Sequence, residues 1–123
     1  MLFRSSTIHV IDHLRRGQGS VTDALLVAGN GALVLQVVII TLIFTRNRWA
    51  PLVATIGGLG LAVGFTAAHW LPHWSELSDS FVDQPTAVFS YVASSLEILG
   101  GLAVGFAGLA LLRGRGPGAV PAG

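Results

Sequence analysis

The first residue to question is a carboxylate. No other charged residue lies between Asp83 and Arg113, yet Glu97 stands in the middle of that apolar run, whereas Asp12, Asp23, Glu76, Asp79 and Asp83 all flank such runs. If the run crosses a bilayer, an ionised Glu97 facing hydrocarbon costs about 2.5 kcal/mol or more, so the side chain is expected to face protein or water. Two uses fit such a group. It can handle a proton or a cation, or, as a protonated acid, it can hydrogen-bond between helices and hold them together, as intramembrane polar groups commonly do. Counted from the shared end of their spans at the helical rise, Glu97 lies about 15 Å deep and Gln36 about 18 Å deep. Gln36 is therefore the expected partner of Glu97, and Ser94 lies on the same helix face.

Histidine spacing offers a second chemistry. His9 and His13 are four apart, as are His69 and His73, and on a helix this spacing puts both imidazoles on one face, suited to gripping one metal ion. Three spans would bring both pairs to the same side of the membrane, with Asp12, Glu76 and Asp79 nearby as further ligands or supporting groups. Imidazole without thiolate favours Zn or Cu. Against a metal site, Pro72 is expected to break the helix between His69 and His73, and His residues beside Trp70 and Trp74 also suit an ordinary membrane interface. The sequence requires no cofactor.

Several classes fall away on composition. Cysteine is absent, which removes disulfides, thiolate ligands and thiol nucleophiles. The net charge is +1, all seven basic residues are Arg, and no basic patch alternates with aromatics, so a nucleic-acid partner is not expected. No nucleophile elbow, phosphate-binding loop or zinc-peptidase helix is present, and no enzymatic activity is expected.

The elements that must position these residues follow from charge spacing. Of the 123 residues, 52% are hydrophobic and 11% charged, a composition far from that of a water-soluble globule. The intervals from Asp23 to Arg46, Arg48 to His69 and Asp83 to Arg113 are each long enough to cross a hydrocarbon core of about 30 Å. An all-α membrane protein is expected, a three-helix transmembrane bundle with spans at 24–45, 52–71 and 86–112. The third span, close to 40 Å at the standard rise, should tilt or protrude. Phe3, Val10, Ile11 and Leu14 recur at helical spacing, so residues 1–21 are expected to form a short amphipathic helix at the interface. The first apolar run starts only after Asp23 and no small-residue cleavage site follows it, so it is read as a permanent span rather than a signal peptide. Residues 113–123, rich in Gly and Pro, are expected to be a disordered tail.

In the third span Ser90, Ser94, Glu97, Gly101, Gly105 and Gly108 fall in one narrow stripe. Small residues let backbones approach in lipid, and Gly57, Gly60 and Gly64 offer a matching surface on the second span. The hexapeptide Gly-Leu-Ala-Val-Gly-Phe occurs at 60–65 and again at 101–106, which shared packing demands explain better than duplication. The loop with Glu76, Asp79 and Asp83 is expected to be a solvated cap, with Ser75 or Ser78 starting a short interfacial helix.

Arg46, Arg48, Arg113 and Arg115 fall on one side, and Arg4, Arg15 and Arg16 on the other. The four at span ends favour an outside N-terminus and a cytoplasmic C-terminus. The Arg-rich, Lys-free usage resembles that of small multi-pass proteins of the bacterial inner membrane. The expected function is that of a membrane accessory protein or subunit, packing through small-residue faces with itself or with a larger complex. One alternative is a small oligomeric transporter or proton- or cation-handling protein using Glu97; another is a His-rich metal-binding protein on the outer face.

Overall fold

The computed structural model describes residues 7–8, 10–12, 14–15, 17, 22–84 and 86–114. Three helices, α1 (Asp23–Phe44), α2 (Ala50–Trp70) and α3 (Val88–Gly114), account for most of them, and no strand occurs among the described residues. At 22, 21 and 27 residues, all three are long and apolar enough to cross a membrane. His9, His13 and residues 115–123 lie outside the described residues, as does most of the expected N-terminal helix; Thr7, Ile8, Val10, Ile11, Asp12, Leu14 and Arg15 have helical backbone.

Local chemistry sets the boundaries. Thr22 caps α1, its side chain accepting a hydrogen bond from Leu25 N at 3.1 Å, and Asp23 follows in the first turn, where a negative charge complements the helix dipole. At the other end Arg46 N bonds Ile43 O at 3.0 Å and Asn47 N bonds Leu42 O at 2.9 Å, with Arg46 at φ 52°. This is the Schellman closure, with Arg in the left-handed position usually given to Gly. Asn47 Oδ1 then accepts from Trp49 N at 2.9 Å, and Pro51 stands in the first turn of α2, where its missing N–H costs nothing. Pro72 forces the preceding Leu71 into an extended conformation (ψ 155°) and so ends α2 at Trp70.

The helices do not share contacts evenly. α2 and α3 lie against each other along their length, while α1 meets α2 over a short stretch and its backbone does not reach α3. Glycine makes the α2–α3 approach possible. A Cβ on Gly58 would lie 2.6 Å from Gly105 N, one on Gly101 would lie 2.7 Å from Gly58 O, and one on Gly108 would lie 2.6 Å from Pro51 O. α1 is held at Gly57, where an added Cβ would come within 2.9 Å of Ile39 Cδ1. Only Gln36 and Ile39 are buried on α1.

The segment between α2 and α3 forms turns rather than a helix, and it folds back on the bundle. Asp79 N and Phe81 N donate to Ala68 O and His69 O, each at 2.9 Å, satisfying carbonyls that the end of α2 leaves open. Ser80 and Phe81 are buried, so the expected solvated cap is in part a packed lid. Phe81 is the reason: its ring stacks on His69 with centroids 4.7 Å apart and meets Tyr91 edge-on at 5.2 Å.

Candidate functional site: a polar-floored cleft between helices

Because α1 touches α2 near Gly57 and diverges toward the Thr22 end, a cleft of about 950 Å³ opens between them. Its walls come from the first half of α1 and the second half of α2, with Val10 and Leu14 of the N-terminal segment and Trp74 and Leu77 of the loop at its rim. Glycine acts here in the opposite sense to the α2–α3 contact. Gly29 and Gly31 on one wall and Gly60 and Gly64 on the other line the cleft, and a Cβ at any of them would meet nothing within 4 Å.

Three buried polar side chains, one from each helix, reach this largely apolar space, besides the exposed Asp23 and Asn30 of α1. Gln36, His69 and Glu97 all line the cleft, and they are only 2%, 2% and 1% exposed. Gln36 and Glu97 are thus brought to one cavity even though the backbones of α1 and α3 stand apart. The α3 stripe that carries Glu97 is buried from Ser90 to Gly108. Ser94, one turn from Glu97, accepts from Trp70 Nε1 at 3.2 Å and donates to Tyr91 O at 3.2 Å; it fixes an aromatic at the α2 end.

His69 is held in place from several directions. Nδ1 donates to Asp79 O at 3.2 Å and lies 3.7 Å from Asp79 Oδ2, while the ring stacks between Phe65 and Phe81. His73 lies beyond the end of α2 and is exposed, its backbone N donating to Asp83 Oδ2 at 2.5 Å. Among the described residues no group of three or more His, Asp or Glu side chains is placed to hold a metal; the His9 and His13 half of that constellation lies outside them.

The N-terminal segment places Asp12, expected beside the His pairs as a ligand or supporting group, in a pair with Arg15, which the residue pattern did not single out. Asp12 is buried, Arg15 Nη2 bonds Asp12 Oδ1 at 2.8 Å and Ser90 Oγ at 3.3 Å, and its guanidinium sits over the Phe89 ring at 5.7 Å. The i, i+3 spacing of Asp12 and Arg15 is the signal available in the sequence. Nearby, Thr22 Oγ1 donates to Glu76 O at 2.5 Å, so the start of α1 and the loop after α2 meet at the same end as the cleft. Gly58, where α2 comes up against Gly101 and Gly105 of α3, had no distinguishing mark among its neighbouring glycines.

Chemically, the cleft joins apolar walls to a floor with one carboxyl, one amide and one imidazole. Its described lining includes the acids Asp23 and Glu97 and no Arg. Compared with protein-family models, curated proteins and solved structures, the chain matches none.

Proposed function

We propose that the protein is a multi-pass membrane protein that handles a proton or cation through Glu97, with Gln36 and His69 as the polar groups beside it. The observation that carries this reading is the convergence of three buried polar side chains from three helices on one cleft. Glu97 stands about 14 Å along α3 from Val88 at the helical rise, well inside a hydrocarbon core if α3 crosses it. An ionisable residue at such depth, facing a cavity, is a functional group by default. Trp70 and Trp74 at one end of the bundle and Trp49, with Arg48 over its ring at 5.2 Å, at the other suit two interfacial belts. The orientation we favour puts Arg46, Arg48 and Arg113 in the cytoplasm of a bacterial cell and the cleft in the outer half of its inner membrane.

Reconstitution into proteoliposomes tests the reading. Glu97→Gln should abolish cation- or proton-coupled flux while leaving detergent-solubilised assembly unchanged. Flux that persists in the variant, or its loss only together with assembly, would instead assign Glu97 to holding helices together.

A second reading, as an accessory subunit, is favoured by α1. Its outer surface leaves Val27, Val34, Val37 and Ile43 exposed, and so little of it is covered within the chain that a second copy or another membrane protein would find a bare apolar helix there. Gly101, Gly105 and Gly108, by contrast, are consumed inside the chain by α2. In native lipid, a protein that co-purifies and cross-links to cysteines placed at Val34 or Val37 would support this role.

A further inference from the structure

We propose that the cleft's occupant is a lipophilic organic cation, an apolar or aromatic body bearing one ammonium-like charge, seated with that charge toward Glu97. The inference rests on the cation-handling reading above and goes on to specify the kind of cation.

Size is the first argument. About 950 Å³ is the scale of a drug-sized site, some 300–1,000 Å³, and far exceeds what a proton or a bare metal ion needs. The second is the kind of ligation on offer. A hard metal cation asks for about six oxygen ligands or more, whereas the described residues bring no three acids or imidazoles together for one. An organic cation, already sheathed in its own carbon, needs one countercharge and apolar walls. Glu97 supplies the first, and Leu25, Leu26, Leu33, Leu61 and Phe65 supply the second.

Charge complementarity sets the sign. The ionisable side chains among the described lining are Asp23, His69 and Glu97, so two carboxylates stand there against one imidazole, a balance that favours a cation. Phe65 and Trp74 add aromatic faces to the lining, and aromatic rings with a nearby carboxylate are the usual surroundings of a quaternary ammonium group. Finally, the four glycines at 29, 31, 60 and 64 widen the cleft from both walls, with open space where their side chains would be. α1 meets α2 at Gly57, and beyond that point Gly60 and Gly64 meet nothing within 4 Å, which leaves the cleft open between the two helices.

The test uses the full chain in lipid nanodiscs with two probes of matched shape and opposite charge, tetraphenylphosphonium and tetraphenylborate, each corrected for partition into empty discs. The phosphonium should bind saturably and at least about tenfold more tightly than the borate, and Glu97→Gln should weaken it by about tenfold or more, the effect of removing one partner of a desolvated charge pair. Gly64→Leu, which places bulk in open space and leaves Glu97 untouched, should block the probe as well and covers the case in which Glu97→Gln does not assemble. Equal affinity for both ions, or full phosphonium affinity in an assembled Glu97→Gln or Gly64→Leu protein, would overturn the proposal. The two readings fail differently: Glu97-dependent flux of protons without phosphonium binding sinks the organic cation alone, whereas Glu97-dependent phosphonium binding without any flux sinks transport and leaves the site.

Discussion

The two interhelical spaces of this molecule use the same residue for opposite ends. Between α2 and α3, glycine brings backbones together: an added Cβ at Gly58, Gly101 or Gly108 would run into backbone atoms at 2.6–2.7 Å. Between α1 and α2, Gly60 and Gly64 face Gly29 and Gly31 across open space. The repeated hexapeptide makes the contrast direct, since its glycines at 101 and 105 are contact points while those at 60 and 64 line a cavity. A glycine-rich helix face is therefore not evidence of packing until its partner is known. One side of α2 is a fixed joint, and the other is a place where something else can sit.

Single substitutions on either side of α2 should show the difference between the two spaces. The largest effect is expected from Gly58→Leu, which forces a side chain into the backbone of α3 and should cost more than about 3 kcal/mol, preventing the α2–α3 pair from assembling; retained folding in a detergent unfolding titration would show that the pair is looser than described. Next, His69→Ala removes a hydrogen bond and a ring contact that hold the loop over the end of α2, along with a ring contact to Phe65 within α2. It should destabilise by about 2 kcal/mol and speed proteolysis between residues 75 and 84. Arg15→Ala should cost about 1–2 kcal/mol, because Arg15 is half-exposed and its charge partly screened, but the buried Asp12 loses a hydrogen bond with it. Its clearer sign is faster cleavage ahead of Thr22 as the N-terminal segment leaves Ser90 and Phe89. The smallest effect, and the one of opposite sign, belongs to Gly64→Ala: an open position loses only the helix penalty of glycine, a gain of about 0.5–1 kcal/mol, and a loss of stability there would mean that the wall is in contact after all.

Much of the architecture was legible in charge spacing. Apolar runs between Asp23, Arg46, Arg48, His69, Asp83 and Arg113, broken by no charge except Glu97, place three helices within a few residues of those observed, each long and apolar enough to cross a membrane. The stripe from Ser90 to Gly108 was also readable, since one dominant face of α3 meets one neighbour. The partner face on α2 was not. Gly57, Gly60 and Gly64 share one face of that helix with Gly58 about 100° away from Gly57, and helical periodicity cannot say that Gly57 meets α1, Gly58 meets α3 and the other two meet neither. The loop was harder still. A lone Phe81 in a polar stretch carries no periodic signal, and its burial depends on the His69 and Tyr91 rings that tertiary structure brings to it. Glu97 and Gln36 could be paired by depth along their spans, but a cleft beside them comes from how far apart α1 and α2 stand, which no local pattern encodes.

Both proposals require a space on the α1 side of α2 that is largely apolar, carries Asp23 and Glu97, and is open to small molecules. Because the chain has no cysteine, single cysteines can report on it in membranes without background. Gly64→Cys should be modified by a cationic methanethiosulfonate faster than by an anionic one of similar size, while Ala62→Cys, buried against α3, stays unreactive to both. Equal silence at the two positions, or labelling of Gly64→Cys with no preference for positive charge, would mean that no such cation-accepting space exists.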